Sequence, residues 1–215
     1  MVTEVQLSEI IKAVNHGSWY KDFLPIISAI TGVVIGLFLN SFKEILISKA
    51  KKKRYKLLIE QEILLAIEEA IDLAKRLSNQ LDECMDKQKP IHLYVYDISC
   101  ICFEKFYPDI IDSYESKERQ LIHSIYSQIS FINSFASKSI TSPIGKEYSA
   151  SFNKGNDIFI SIVKLYQAYI NFYLKKDMKE ISIEYFLKEN EIKSEFYTGM
   201  INKSRAERKA GKLVD

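Results

Sequence analysis

The sequence contains little glycine, little proline and few histidines. Seven glycines and four prolines among 215 residues leave few residues for tight turns or long flexible linkers, which argues against a turn-rich β fold. They also leave little material for the glycine-rich loops that bind nucleotide phosphates. No phosphate loop, HExxH or Gly-x-Ser-x-Gly motif occurs, so the sequence lacks the usual signatures of nucleotide-binding proteins, zinc proteases and serine hydrolases.

The three cysteines, Cys84, Cys100 and Cys102, do not form a disulfide framework. Their number is odd, and they lie within apolar helical patterns, as is common in reduced cytoplasmic proteins. The pair Cys100-Ile-Cys102 lacks the second pair of cysteines or histidines that a zinc site needs. We therefore expect buried thiols, no metal ion and no cofactor.

A run of twenty residues without charge, residues 23–42, lies between Asp22 and Lys43. At about 1.5 Å per residue it extends about 30 Å, the thickness of the hydrocarbon layer. Seven basic residues and one acid lie between Lys43 and Lys56. This asymmetry predicts a single-pass membrane protein with its N-terminus outside and residues 43–215 in the cytoplasm.

Two other interpretations of this apolar run have to be considered. A signal peptide would carry positive charge before the run and a small-residue cleavage site after it, whereas this chain carries its positive charge after the run. A buried helix of a soluble protein would show a polar stripe, and the breaks here are only small or uncharged residues. The transmembrane interpretation is therefore preferred.

Small and polar residues recur at every fourth position of the run and lie on one helix face. This face consists of Ser28, Gly32, Gly36 and Asn40. In lipid, small residues let two helix backbones approach closely, and an asparagine can hydrogen-bond across the contact. The pattern predicts helix packing between copies in a homo-oligomer. In such an assembly, the candidates for lining a channel are Thr31, Asn40 and Ser41.

The segments flanking the run carry separate signals. Residues 1–22 have an apolar face at helical spacing, which predicts a short amphipathic helix on the outer membrane surface or between subunits. Basic residues that follow the run are expected to contact anionic lipid headgroups, at about 1 kcal/mol each. They are Lys49, Lys51, Lys52, Lys53, Arg54 and Lys56. Because lipid accounts for them, direct nucleic-acid binding is not expected.

Residues 43–215 show helical periodicity, and we predict an all-α bundle of four or five helices. No proline or glycine occurs from Lys43 to Met85, so the apolar run is expected to continue into a long helix. Its predicted core stripe is Ile59, Ile63, Ile67, Ala70, Ala74, Leu77, Leu81 and Cys84, and its acids, Glu62 among them, are assigned to the other faces. Further helices are predicted over residues 98–106, 117–136 and 157–175, with one or two more over 178–209 and a loop over 137–156.

The sequence "RQLIH" places Arg119 and His123 four residues apart, on one face of a predicted helix. A cation beside an imidazole suits metal-free RNA cleavage, because one group moves the proton of the 2′-hydroxyl and the other holds the phosphate. Here the chain resembles helical-bundle ribonucleases of the HEPN type, whose motif is Arg, four to six residues, then His. Only three residues separate the pair in this chain. The alternative is a surface arginine and a histidine at the edge of the core.

The order of a single N-terminal span, a basic stop and a divergent HEPN-like bundle resembles the accessory membrane proteins of type VI-B CRISPR loci. The resemblance implies an oligomeric membrane pore that depolarises infected cells and strengthens antiphage defence beside an RNA-guided RNA nuclease. It does not imply an active ribonuclease, because the spacing of Arg119 and His123 departs from the motif. A membrane-tethered ribonuclease and a passive membrane adaptor remain alternatives.

Overall fold

The computed structural model describes residues 19–87, 95–135, 147–175 and 180–209. Within these ranges the chain is all-α, as the sequence predicts, and contains no strand. The amphipathic helix predicted for residues 1–22 lies outside the described residues up to position 18. Positions 19–22 form the beginning of the first helix.

Six α-helices follow one another along the described chain. They are α1 (Trp19–Lys87), α2 (Ile101–Ile110), α3 (Ser116–Asn133), α4 (Glu147–Leu174), α5 (Ile183–Glu189) and α6 (Glu195–Lys209). A 3₁₀ turn, Ile111–Ser113, lies between α2 and α3. The continuous α1 confirms the long helix predicted from the absence of proline and glycine. The described residues contain six helices, one more than the upper number predicted for the bundle, and two of them lie in the segment after α4, for which one or two were predicted.

The chain divides into two compact units, Met1–Lys53 and Arg54–Asp215. In the first unit, the side chains described from Pro25 to Lys53 are all exposed. In the second unit, α1 carries the predicted core stripe, and all eight of its members are buried. Their spacing of three and four residues places them on the same side of the helix, where the other helices cover them.

Helices α3 and α4 supply much of the remaining core. Ile122, Ile125 and Ile129 of α3 are fully buried, as are Ile158 and Ile162 of α4. Fully burying such a side chain contributes about 1.5–3 kcal/mol, so these positions contribute strongly to the stability of the second unit.

Helix α4 begins ten residues earlier than the sequence predicts. Residues 147–156 are helical, so the predicted loop over 137–156 is wrong in this part. The small residues that led to the loop prediction include Ser151 and Gly155, which are buried on the inner side of α4. Small side chains on the inner face of a helix allow close contact with its neighbours.

Pro108 lies inside α2. The helix that was expected over residues 98–106 begins at Ile101 and ends at Ile110. Pro108 therefore occupies the last turn, and the chain passes into the 3₁₀ turn soon after it. A proline beyond the first turn has no N–H to donate to the carbonyl four residues earlier, and its ring crowds that carbonyl, which fits a helix that ends two residues later.

Candidate functional site

The first half of α1 is apolar and uncovered. All large apolar side chains from Ile26 to Ile47 are 46–74% exposed. Among the described helices, α1 alone is long and apolar enough to cross a membrane, and its most apolar stretch contains no buried residue. A core helix of a soluble protein passes the same test of length and composition, but it is mostly buried. The exposure is thus compatible with a helix that crosses a membrane.

The small-residue face of α1 is open. A Cβ atom added at Gly32 or at Gly36 would have no other heavy atom within 4 Å, and Ser28 and Asn40 are exposed. Nothing in the described fold therefore requires glycine at these two positions. Because no other part of the chain occupies the space beside these two glycines, a second helix could approach the backbone closely along this face.

The polar residues of this stretch bond within their own helix. The Thr31 hydroxyl donates to the carbonyl oxygen of Ile27 at 2.7 Å, and the Asn40 amide nitrogen donates to a carboxylate oxygen of Glu44 at 3.3 Å. The bond made by Thr31 reduces the cost of placing its hydroxyl in an apolar layer. Ser41, the third predicted channel-lining residue, is exposed.

The predicted headgroup-binding residues fall into two groups. The exposed ones are Lys49, Lys51, Lys52, Lys53 and Arg54. Lys56 is half-buried, and its Nζ atom lies 4.6 Å from the centroid of the Tyr114 ring. A cation over an aromatic face is attracted to it, so Lys56 contributes to the packing of the second unit.

Arg119 and His123 both lie on α3, where Arg119 is half-buried and His123 is exposed. The His123 ring meets Tyr107 edge-on, with centroids 5.3 Å apart, and Phe103 at 6.0 Å. Burial raises the pKa of Tyr107, and the positive charge of Arg119 partly offsets this rise. His123 thus contacts a buried tyrosine, and the charge of Arg119 acts on the same tyrosine. This placement matches the alternative of a histidine at the edge of the core.

Helix α2 is held to α3 by stacked aromatic rings. Phe103 of α2 stacks on Tyr126 of α3 with centroids 3.8 Å apart. Within α2, Phe103 also stacks on Tyr107, with centroids 4.6 Å apart. One turn further along α2, Phe106 stacks on Tyr55 of α1 with centroids 4.3 Å apart. Each such pair contributes about 0.5–1.5 kcal/mol beyond the area that it buries. The edge on which Arg119 and His123 lie is consequently a packed aromatic surface.

The prediction that Glu62 lies on an outer face is wrong. The residue is only 7% exposed, and its carboxylate accepts bonds from the backbone N–H of Cys102 at 2.7 Å and of Phe103 at 2.9 Å. The Tyr126 hydroxyl donates to it as well, at 2.9 Å. Cys100, at the start of α2, supplies no side-chain cap. Glu62 therefore caps α2 from a different helix, replacing the local cap that α2 lacks.

The environment of Glu62 also affects neighbouring side chains. Burial, followed by the charge of Glu62, raises the pKa of Tyr126 far above its usual range. The same two causes raise the pKa of Cys102, and together with Glu104 they raise that of Cys100 to about 11. Both thiols are consequently protonated near neutral pH, and neither is a reactive thiolate.

Asp82 repeats this arrangement at the other end of the second unit. Its carboxylate accepts from the Ser194 hydroxyl at 2.9 Å and from the backbone N–H groups of Glu195 and Phe196 at 3.0 and 2.9 Å. It thereby caps α6, and the sequence prediction missed it. For Glu62 a sequence signal was available, because a helical wheel places it beside Ile59 and Ala66, on the edge of the apolar stripe.

A cleft lies beside Asp82, between the end of α1 and the start of α6. Its volume is about 1020 Å³, and Asp82, Glu83, Asp86 and Glu195 make its lining acidic. Within the described ranges no group of three His, Cys, Asp or Glu side chains is arranged to hold a metal ion. The best-placed carboxylate of the cleft, that of Asp82, is already engaged in capping α6.

No protein-family model, no curated protein and no solved structure matches the chain. The open face of α1 and the edge at Arg119 and His123 are therefore the features from which a function is inferred.

Proposed function

We propose that the protein is a single-pass membrane protein that assembles through α1 and acts as a pore-forming effector in antiphage defence. The observation that carries this proposal is the uncovered apolar stretch from Ile26 to Ile47 with its open glycine face. In water, each exposed Å² of apolar surface costs about 25 cal/mol. Lipid chains remove this cost for most of the helix surface.

Within lipid, apolar side chains gain little by meeting one another, and close backbone packing drives association instead. The face that contains Gly32 and Gly36 is the part of α1 at which two backbones could come closest. Asn40 adds a polar group that can bond to a neighbouring copy. Thr31, Asn40 and Ser41 are the proposed channel-lining residues in the resulting homo-oligomer.

The proposed orientation places the N-terminus outside the bacterial cell membrane and the helical bundle in the cytoplasm. The exposed cations after the apolar stretch support it, because basic residues accumulate on the cytoplasmic side and attract anionic headgroups. The resemblance to accessory proteins of type VI-B CRISPR loci supports the defence role. In that role, the pore depolarises an infected cell and strengthens an RNA-guided nuclease system.

Sizing of the full chain in detergent, followed by ion-flux measurement in liposomes, tests the proposal. We expect an oligomer, and a voltage-dye signal from liposomes that contain it. A chain that stays monomeric in several mild detergents contradicts the assembly, and an oligomer without ion flux contradicts the pore. If residues 23–42 are replaced by an unrelated span and defence is retained, the protein is instead a passive membrane adaptor.

A membrane-tethered ribonuclease is the second candidate. The observation that favours it is that Arg119 and His123 lie four residues apart on α3, with the His123 ring against the buried Tyr107. A cation and an imidazole on one helix face could share a phosphodiester. RNA cleavage by the purified full chain that disappears in His123→Ala supports this function. If the wild type does not cleave RNA, alone or with the RNA-guided nuclease, the ribonuclease is excluded.

A further inference from the structure

Two buried tyrosine hydroxyls have no hydrogen-bond partner in the described part of the chain. They belong to Tyr107 in α2 and to Tyr114 just after the 3₁₀ turn, which are 4% and 3% exposed. Other buried tyrosines are satisfied, since Tyr126 donates to Glu62 and Tyr197 donates to Asn156, each at 2.9 Å. A buried hydroxyl without a bond disfavours its folded state by about five- to 150-fold in an equilibrium constant.

Both hydroxyls lie in the same short stretch, residues 95–115, which we call the strap. The strap is held through hydrogen bonds supplied by other helices. Glu62 of α1 caps its helix, and the side-chain amide of Asn133 on α3 both accepts from the N–H of Ile98 at 2.9 Å and donates to its carbonyl at 2.8 Å. Pro108 lies within its helix and has no N–H to donate.

The strap covers aromatic surface of the helices beneath it. Phe103 stacks on Tyr126 of α3, Tyr107 meets His123 of α3, and the Tyr114 ring lies 6.4 Å from that of Phe172 on α4. Opening the strap would break these contacts and the bonds to Glu62. It would also let both unpaired hydroxyls hydrogen-bond to water. Opening therefore costs less free energy than it would if both hydroxyls were already hydrogen-bonded in the closed state.

We propose that the strap opens as a unit while α3 and α4 stay folded, and that the unpaired hydroxyls of Tyr107 and Tyr114 keep its closed state deliberately weak. Local opening of this kind is common for segments that expose surface on demand. The surface that opening would uncover is aromatic and borders Arg119 and His123. This inference does not depend on the pore or on membrane assembly.

Hydrogen–deuterium exchange of the full chain in detergent micelles tests the strap. We expect amides of residues 101–113 to exchange at least tenfold faster than those of residues 122–132 and 158–170. The double change Tyr107→Phe, Tyr114→Phe removes two unpaired hydroxyls and leaves the rings, so it should slow exchange in the strap about tenfold or more. Glu62→Gln should accelerate it by a similar factor.

Tyr197→Phe is the matched control, because it removes a buried hydroxyl that is bonded and lies outside the strap. It should not slow exchange of residues 101–113. Equal exchange rates in the strap and in α3 and α4 would show that the strap opens only with the whole bundle, which overturns the inference. Unchanged exchange in the double phenylalanine variant, provided that its purified oligomer matches the wild type, overturns it equally.

Discussion

The two halves of α1 have the same secondary structure and a similar wealth of apolar residues, yet they meet different surroundings. From Ile26 to Ile47 every large apolar side chain is exposed, whereas the stripe from Ile59 to Cys84 is buried. The difference lies in how polar residues are distributed around the helix. The first half has apolar residues on all sides, and the second confines them to one stripe between charged faces.

Polar groups are also used differently in the two halves. Thr31 satisfies its hydroxyl on its own helix, which suits a position that no other described part of the same chain covers. Glu62 and Asp82 direct their carboxylates to the N-termini of α2 and α6. A polar side chain that hydrogen-bonds within its own helix can lie in apolar surroundings at little cost. One that hydrogen-bonds to another helix instead holds the two helices together.

The largest effect is expected from filling the open face of the first half. Gly32→Leu combined with Gly36→Leu places branched side chains where helix backbones are proposed to meet, and should abolish assembly. Light scattering of the detergent complex, with the detergent contribution subtracted, measures the protein mass. Because neither added Cβ meets any atom within the chain, the variant should fold as the wild type does.

Ile30→Leu combined with Val34→Leu serves as the control for this change, since each position is two residues from Gly32 and both lie on the side of the helix away from the glycine face. It should leave the oligomer intact. If the glycine variant assembles like the wild type, the small-residue face is not the contact.

The next largest effect is expected from truncating a buried leucine of α1, compared with an exposed leucine of the same helix. Leu77→Ala in the buried stripe should lower the free energy of unfolding by about 2–5 kcal/mol, because it removes buried apolar surface and leaves a cavity. Leu65→Ala, at a position that is 60% exposed, should change it by less than about 0.5 kcal/mol. Denaturant titration of each full-length variant in the same detergent compares them. Equal losses would mean that the exposed face of α1 is covered by another surface.

Glu62→Gln should lower the free energy of unfolding by about 1.5–3 kcal/mol, since hydrogen bonds to a charged acceptor are lost and an amide donor then faces backbone donors. Thermal unfolding with Glu69→Gln as control measures this, because Glu69 is an exposed acid on the same helix. Similar melting temperatures for both variants would contradict the capping role of Glu62.

The smallest effect is expected at the surface ion pair between Glu184 and Arg205, which are both well exposed. Glu184→Gln should cost about 0.2–1 kcal/mol at low salt and less at high salt, because exposed pairs are weak and screened. The same thermal melts at two salt concentrations check it. If Glu184→Gln lowers the free energy of unfolding as much as Glu62→Gln does, burial of the carboxylate is not the reason for the larger contribution expected from Glu62.

The helical periodicity predicted the all-α fold, the long α1 and its buried stripe, because these depend on short-range spacing. It failed where a residue's role is set by distant partners. The carboxylate of Glu62 finds its donors 40 residues away, and the small residues of the segment 147–156 become helical because α4 packs through them. The bundle contacts of Lys56 likewise depend on Tyr114, which no local pattern connects to it.

The paired caps on α1 have a further consequence for how the second unit can vary. Glu62 and Asp82 are twenty residues apart, so along a helix their carboxylates are separated by about 30 Å. This distance fixes how far apart the beginnings of α2 and α6 lie along α1. An insertion of one residue between them would rotate one of the two carboxylates by about 100° around the helix, so α1 can vary its exposed residues in this interval but not its length.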